Sequence, residues 1–322
     1  MSTTAVTFSG TTSLTATSGI WTLAGNFTQT NTPTFTHNSG TITITASSSV
    51  SAPAITFNKF IINASGGFVT CAVNTTMPLG ADPSVAVSAS GLTVTGTVSG
   101  TGTMAFTSGP LIMSASTGVL SGFTAVTLTN AGFSNNATAT TPSGLNVTIT
   151  LTGASGTTFT GAGKVYGTVT ISGGTGQVTI SGNNTFTTLN LARSTGATTP
   201  ITGSNTIGTL QANAGTATHQ ILFTAGTTQT VTTMSVNGAA TKLVTMRSDT
   251  LGTAWTLTTA AGAKTASYVV IQDSTVDASP TWTADSNSAN GGGNTNWLGF
   301  AGGSSSSGAI GQSGKRVRQG GS

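Results

Sequence analysis

Apolar residues alternate with Thr or Ser along most of this chain. The pattern runs through TITIT at 41–45, LTVTGTV at 92–98, VTLT at 126–129, VTITLT at 147–152, TVTIS at 168–172, QVTIS at 177–181 and WTLTT at 255–259. A period of two puts successive side chains on opposite faces of an extended strand, and Val, Ile and Thr favour that conformation. Clusters of Gly, Asn and Ser separate the runs. No stretch carries a 3.6-residue apolar stripe with caps, so almost no α-helix is expected.

The strands also repeat. VTISG stands at 169–173 and again at 178–182, and GNNTFTTL at 182–189 matches GSNTIGTL at 203–210 with an offset of 21 residues. FIINASGGFVTC at 60–71 aligns without gaps on VTISGGTGQVTI at 169–180, so that Phe60, Ile62, Val69 and Cys71 fall on Val169, Ile171, Val178 and Ile180. Self-similarity near 20 residues is the signature of a solenoid, in which a single repeat cannot close a core and neighbours must stack. The expected fold is therefore all-β, a right-handed parallel β-helix. An antiparallel β-sandwich is the competing arrangement, since it also alternates and turns often. Cys71, alone in the chain, is expected to be a small buried hydrophobe.

Composition fits stacked strands. Charged residues make up 4% of the chain, there is no Glu, and the five acids are Asp82, Asp249, Asp273, Asp277 and Asp285. Ordinary soluble domains carry about a quarter charged residues. Like charges stacked at about 4.8 Å would repel, whereas outward Thr and Ser solvate a strand face and inward Val, Ile, Leu and Phe fill a core. Hydrophobic residues at 36% and a mean hydropathy of +0.19 oppose disorder. The net charge of +4 owes most to Lys315, Arg316 and Arg318, so a basic body for nucleic acid is not expected. No run approaches the ~18 apolar residues of a membrane span, and no signal peptide is seen at the N-terminus.

Four segments are expected: an N-terminal β region at 1–55 serving as cap or attachment, a solenoid body at 56–285, a C-terminal cap at 286–300, and a Gly/Ser-rich basic tail at 301–322. From about residue 155 to 300 the ordered run GTVTISGGTGQVTISGNNTFTTLNL, FTAGTTQTVTTMSVNG, KLVTMRSDTLGTAWTL, ASYVVIQDSTVDA and NSANGGGNTNW resembles β-helical proteins of tailed bacteriophages and related bacterial surface proteins. The resemblance implies a β-helix stalk or fibre exposed on a virion or cell surface; with so few carboxylates and His, a non-enzymatic virion structural protein assembled in the host cytoplasm is expected. Its partners would be capsid or tail proteins, further copies of the chain (a trimer is one such form), and a host surface glycan. A bacterial surface adhesin, or a glycan- or ice-binding solenoid, is the alternative.

The residues offer little chemistry. No catalytic residue and no cofactor are expected. Asp273, Asp277 and Asp285 are calcium candidates because carboxylates lie there among Asn and Gly, but their spacing matches no defined loop, and turn-forming Asp is the simpler reading. Asp273 with Asp277 is also the sequence-near pair that a glycosidase would need. Trp282 and Trp297 are partner-binding candidates, either as a sugar platform or as a plug over the last exposed strand edge. Lys315, Arg316 and Arg318 are candidates for contact with an acidic partner. His37 and His219 lack a second ligand at a metal spacing and are expected to be structural. Thr-x-Thr triplets at 41, 93, 127, 148, 168, 230 and 256 are separated by 20 to 62 residues, so the constant register of an ice-binding face is not expected.

Overall fold

A computed structural model of the chain describes residues 2–9, 13–30, 34–51, 55–64, 68–71, 75–77, 84–87, 91–113, 118–136, 148–153, 156–193, 196–213 and 218–300. Among them there are strands and turns but no helix, as the alternation requires. All the paired strands run parallel, in one 19-stranded sheet, one 14-stranded sheet and a two-stranded ladder. The chain is a parallel β-solenoid.

Each turn visits three faces. Face III is the 14-stranded sheet, which begins at Val6–Ser9 and ends at Ala289–Asn290. Face I follows it with Leu14–Thr15, Phe35–Thr36, Ile55–Thr56 and Thr75–Met77. Face II then takes Ile20–Leu23, Thr41–Ile44, Lys59–Ile62 and Ser84–Val87. In the middle of the chain one long strand serves both faces. The strand Thr97–Phe106 pairs with Thr75–Met77 through its first half and with Ser84–Val87 through its second. Near the end it divides again: Trp255–Thr258 stacks on Thr228–Thr230, while Lys264–Ser267 stacks on Val236 and Asn237.

The internal repeats mark the register. The 21-residue offset between GNNTFTTL and GSNTIGTL is one turn, with Thr185 beside Thr206, Phe186 beside Ile207, and Leu189 beside Leu210. The nine-residue offset of VTISG is one corner: Val169 and Ile171 lie on face II, and Val178 and Ile180 on face III. The strand Val165–Ser172 shows the alternation, with Val169 and Ile171 buried and Thr168 and Thr170 half-buried.

Inward side chains stack on their equivalents one turn away. Phe133 lies on Phe159 at 4.9 Å, and Phe159 meets Tyr166 edge-on, also at 4.9 Å. The Tyr166 hydroxyl donates to the Gly161 carbonyl at 2.7 Å and accepts from Asn135 Nδ2 at 3.1 Å, so this one polar group in an aromatic core is satisfied. Corners need glycine where turns touch. Gly174 has a φ of +68°, and a β-carbon there would sit 1.8 Å from the Gly153 carbonyl oxygen.

The segment 2–51 joins the same ladders as the body: Ser2 and Thr3 pair with Thr22 and Leu23, and Val6–Ser9 with Phe27–Thr30. The tail at 301–322 lies outside the described residues. Cys71 sits on the face III strand Phe68–Cys71.

Candidate functional site

The four Asp of the C-terminal part share one structural job. Each carboxylate accepts a backbone N–H from a corner of the preceding turn. Asp249 Oδ1 takes Ala225 N at 2.9 Å, and Asp273 Oδ2 takes Gly252 N at 3.0 Å. Asp277 Oδ2 takes Thr259 N at 2.9 Å and the Thr258 hydroxyl at 2.6 Å. Asp285 Oδ1 takes Tyr268 N at 3.2 Å and the Ser288 hydroxyl at 2.6 Å. Burial works to raise the Asp285 carboxyl pKa, but bonds from Ser288, Asn287 and Tyr268 bring it below the ordinary value. Asp249 follows the same balance, with Ala225 N–H, Thr250, Thr224 and Arg247 on the lowering side.

Asp273, Asp277 and Asp285 therefore hold three different corners and do not converge. Among the described residues no three His, Cys, Asp or Glu side chains could hold a metal ion together. The turn-forming reading accounts for each of these side chains.

The tryptophans are interior. Trp255 stacks face to face on Phe223 at 3.9 Å. Trp282 is 0% exposed and Trp297 3%, and they meet edge to face at 5.8 Å, with Phe300 6.4 Å beyond Trp297. The Trp297 Nε1–H donates to Ser274 Oγ at 3.0 Å. Buried rings cannot offer a face to a sugar, so the partner-binding role considered for Trp282 and Trp297 gives way to the plug. The strand Trp297–Leu298 lies on Trp282–Ala284 and finishes face II. Lys315, Arg316 and Arg318 lie outside the described residues.

Two buried polar features carry no motif in the sequence. The first is an amide column at the corner between faces III and I. Asn184 N donates to Asn205 Oδ1 at 2.8 Å, and Asn205 Nδ2 donates to Gln229 Oε1 at 2.9 Å. Gln229 Nε2 returns to the Gly203 carbonyl at 2.8 Å. Three turns are pinned by side chains that are almost wholly buried. The Asn184 to Asn205 step was legible in the 21-residue repeat. Gln229 was not, because the next turn is longer.

The second is the buried pair Arg193 and His219 inside the corner between faces II and III. Arg193 is 0% exposed and His219 1%. Arg193 Nη2 donates to the Gly176 and Gly174 carbonyls, and His219 Nε2 lies 3.3 Å from the Thr199 hydroxyl. Burial, then the Arg193 charge, lowers the His219 pKa from 6.5 to about 4. His37 is half-buried and takes the Ser39 N–H on Nδ1 at 3.1 Å within its own turn.

Outside, the faces are polar. On face II the column Thr127, Thr150, Thr170 is in register, beside Thr129 and Thr152. Thr152 Oγ1 lies 3.1 Å from Ser172 Oγ. The triplet at 127 thus stacks on Thr150 and Thr152, two residues along from the triplet at 148, and Thr150 stacks in turn on Thr170 of the triplet at 168, a local regularity that the full list of intervals hid. Asn190 and Gln211 then continue the column, and the triplets at 93, 230 and 256 belong to other faces. A surface groove of about 380 Å³ is lined by Pro110, Phe133, Ser134, Thr158 and Thr160 among others, with no charged side chain.

Two outcomes follow from the buried polar groups. Asn205→Ala strands the Asn184 N–H and leaves Gln229 Oε1 with only the backbone N–H of residue 205, and should cost about 1–3 kcal/mol, read from the urea midpoint, while exposed Thr233→Ala should stay within about 0.5 kcal/mol. For His219 the folded state favours the neutral ring, so its contribution is complete above pH 6.5 and is lost as the pH falls toward about 4. The loss should total about 3 kcal/mol across that window, and His219→Gln should flatten the pH dependence of unfolding there.

The chain matches no protein-family model, no curated protein and no solved structure.

Proposed function

We propose that this chain is a non-enzymatic structural protein of a tailed-phage virion, a β-solenoid displayed as a capsid decoration, head fibre or tail fibre. The observation that carries the reading is the face II ladder. It continues turn upon turn from Ser2–Thr3 to Trp297–Leu298, and through its middle the outward side chains are mostly Thr, Ser, Asn and Gln. Such an arrangement spans distance and keeps a neutral surface. The Asp carboxylates hold corners, and so support a scaffold better than paired acid–base chemistry. The resemblance of residues 155–300 to phage β-helical proteins supplies the virion setting.

In this reading the basic tail, with Lys315, Arg316 and Arg318, contacts an acidic surface on a neighbouring virion protein. Copies of the shaft associate side by side, with a trimer as one arrangement. The hydroxyl-lined groove is the place where a host surface glycan would meet uncharged side chains.

The test is immunogold electron microscopy with an antibody against the shaft, applied to particles released from the producing host. Label on capsids or tails is expected. Label confined to the bacterial envelope, with none on particles, would overturn the virion role and favour the adhesin.

A further inference from the structure

The Arg193 corner contains a charge that no group among the described residues is shown to balance. A guanidinium stays protonated and carries five N–H bonds. Here Nη2 is used by the Gly174 and Gly176 carbonyls. Nε and Nη1, with three N–H bonds between them, find no hydrogen-bond partner among the described residues, and neither does His219 Nδ1. All three atoms are buried in side chains with 1% exposure or less.

No carboxylate is at hand. Between Asp82 and Asp249 the sequence contains neither Asp nor Glu. The Asp249 carboxylate is engaged with Ala225 N and Thr250. The adjoining segments Ser194–Thr195 and 214–217 hold Ser, Thr, Ala and Gly, so no side chain there can supply a negative charge. A buried cation with neither a counter-charge nor filled hydrogen bonds costs several kcal/mol.

We propose that this corner is a binding site for a small inorganic anion, and we assign chloride as the ligand. Arg193 Nε and Nη1 donate to it from one side. Thr199 donates its hydroxyl to His219 Nε2, which leaves the hydrogen on Nδ1, and Nδ1–H donates from the other side. With Arg193 and His219 at 1% exposure or less, a monatomic ion is assigned over the larger phosphate or sulfate. The anion ties Arg193, which follows the face II strand of one turn, to His219 on the face III strand of the next. It also offsets the Arg193 field on the imidazole, so chloride should lessen the acid sensitivity that His219 confers.

The experiment compares the full chain in sodium chloride and in sodium gluconate at equal ionic strength, gluconate being too large to enter. Thermal unfolding should fall by about 2–4 °C for each tenfold dilution of chloride into gluconate. Crystals grown in bromide should show an anomalous peak within hydrogen-bond reach of Arg193 Nε or Nη1. Equal unfolding temperatures in both salts together with no peak at the guanidinium would overturn the proposal. Arg193→Met, where it folds, should unfold at the same temperature in either salt, whereas a chloride dependence retained in that variant would also overturn the assignment. The wild-type measurements decide the matter if Arg193→Met does not fold.

Discussion

Among the described residues, strands find their hydrogen-bonding partners in the turn before and the turn after, and the strands at the two ends in one neighbouring turn. That parallel stacking of turn on turn is the constraint on which the rest depends. It forces each residue to lie over the residue at the same position of the neighbouring turn, at about 4.8 Å. Like must then tolerate like. Leu189 on Leu210, Phe133 on Phe159 and Asn184 against Asn205 are favourable under that rule. Stacked carboxylates or ammonium groups are not, and a chain with 4% charged residues is what the rule leaves. Several of the described charges hold fixed positions. Lys264 Nζ caps the Ala261 and Gly262 carbonyls of its own turn, and the four C-terminal Asp cap the N–H groups of corners.

Stacking also makes the corners and the end the weak places. A strand hydrogen-bonds through its length, but a corner breaks the ladder and leaves backbone groups to be satisfied by side chains. Asn184, Asn205 and Gln229 do this from inside, and Asp249, Asp273, Asp277 and Asp285 in the later turns. The last turn would otherwise expose an apolar interior, and Trp282, Trp297 and Phe300 close it. The same aromatic density that could be mistaken for a ligand platform is thus a consequence of ending a solenoid.

Much of this was legible in the sequence. Period-two alternation identified the strands, and the offsets of 21 and nine residues gave one turn and one corner. The alignment of 60–71 on 169–180 paired positions that occupy equivalent faces: Phe60 and Ile62 on face II with Val169 and Ile171, and the strand Phe68–Cys71 on face III with Val178–Ser181. Corner chemistry was legible only at the Asn184 to Asn205 step. Corner lengths vary from turn to turn, so Gln229 does not stand at a constant offset from Asn205, and the stacked Thr127, Thr150 and Thr170 were lost among triplets on other faces. Arg193 gave no signal at all. A single Arg following a strand reads as a surface residue, and only the path of the corner past Gly174 and Gly176 turns it inward.

The central claim is that residues far apart in sequence are separated by a fixed rise per turn. Electron–electron dipolar spectroscopy measures this directly, with spin labels placed pairwise on the face II column Thr127, Thr150, Thr170, Asn190, Gln211 and Ser235 after Cys71 is replaced by Ala. The account predicts about 19 Å between positions 150 and 235 and about 24 Å between 127 and 235, an increase of about 4.8 Å for each added turn. Distances that do not grow with the number of turns would contradict it.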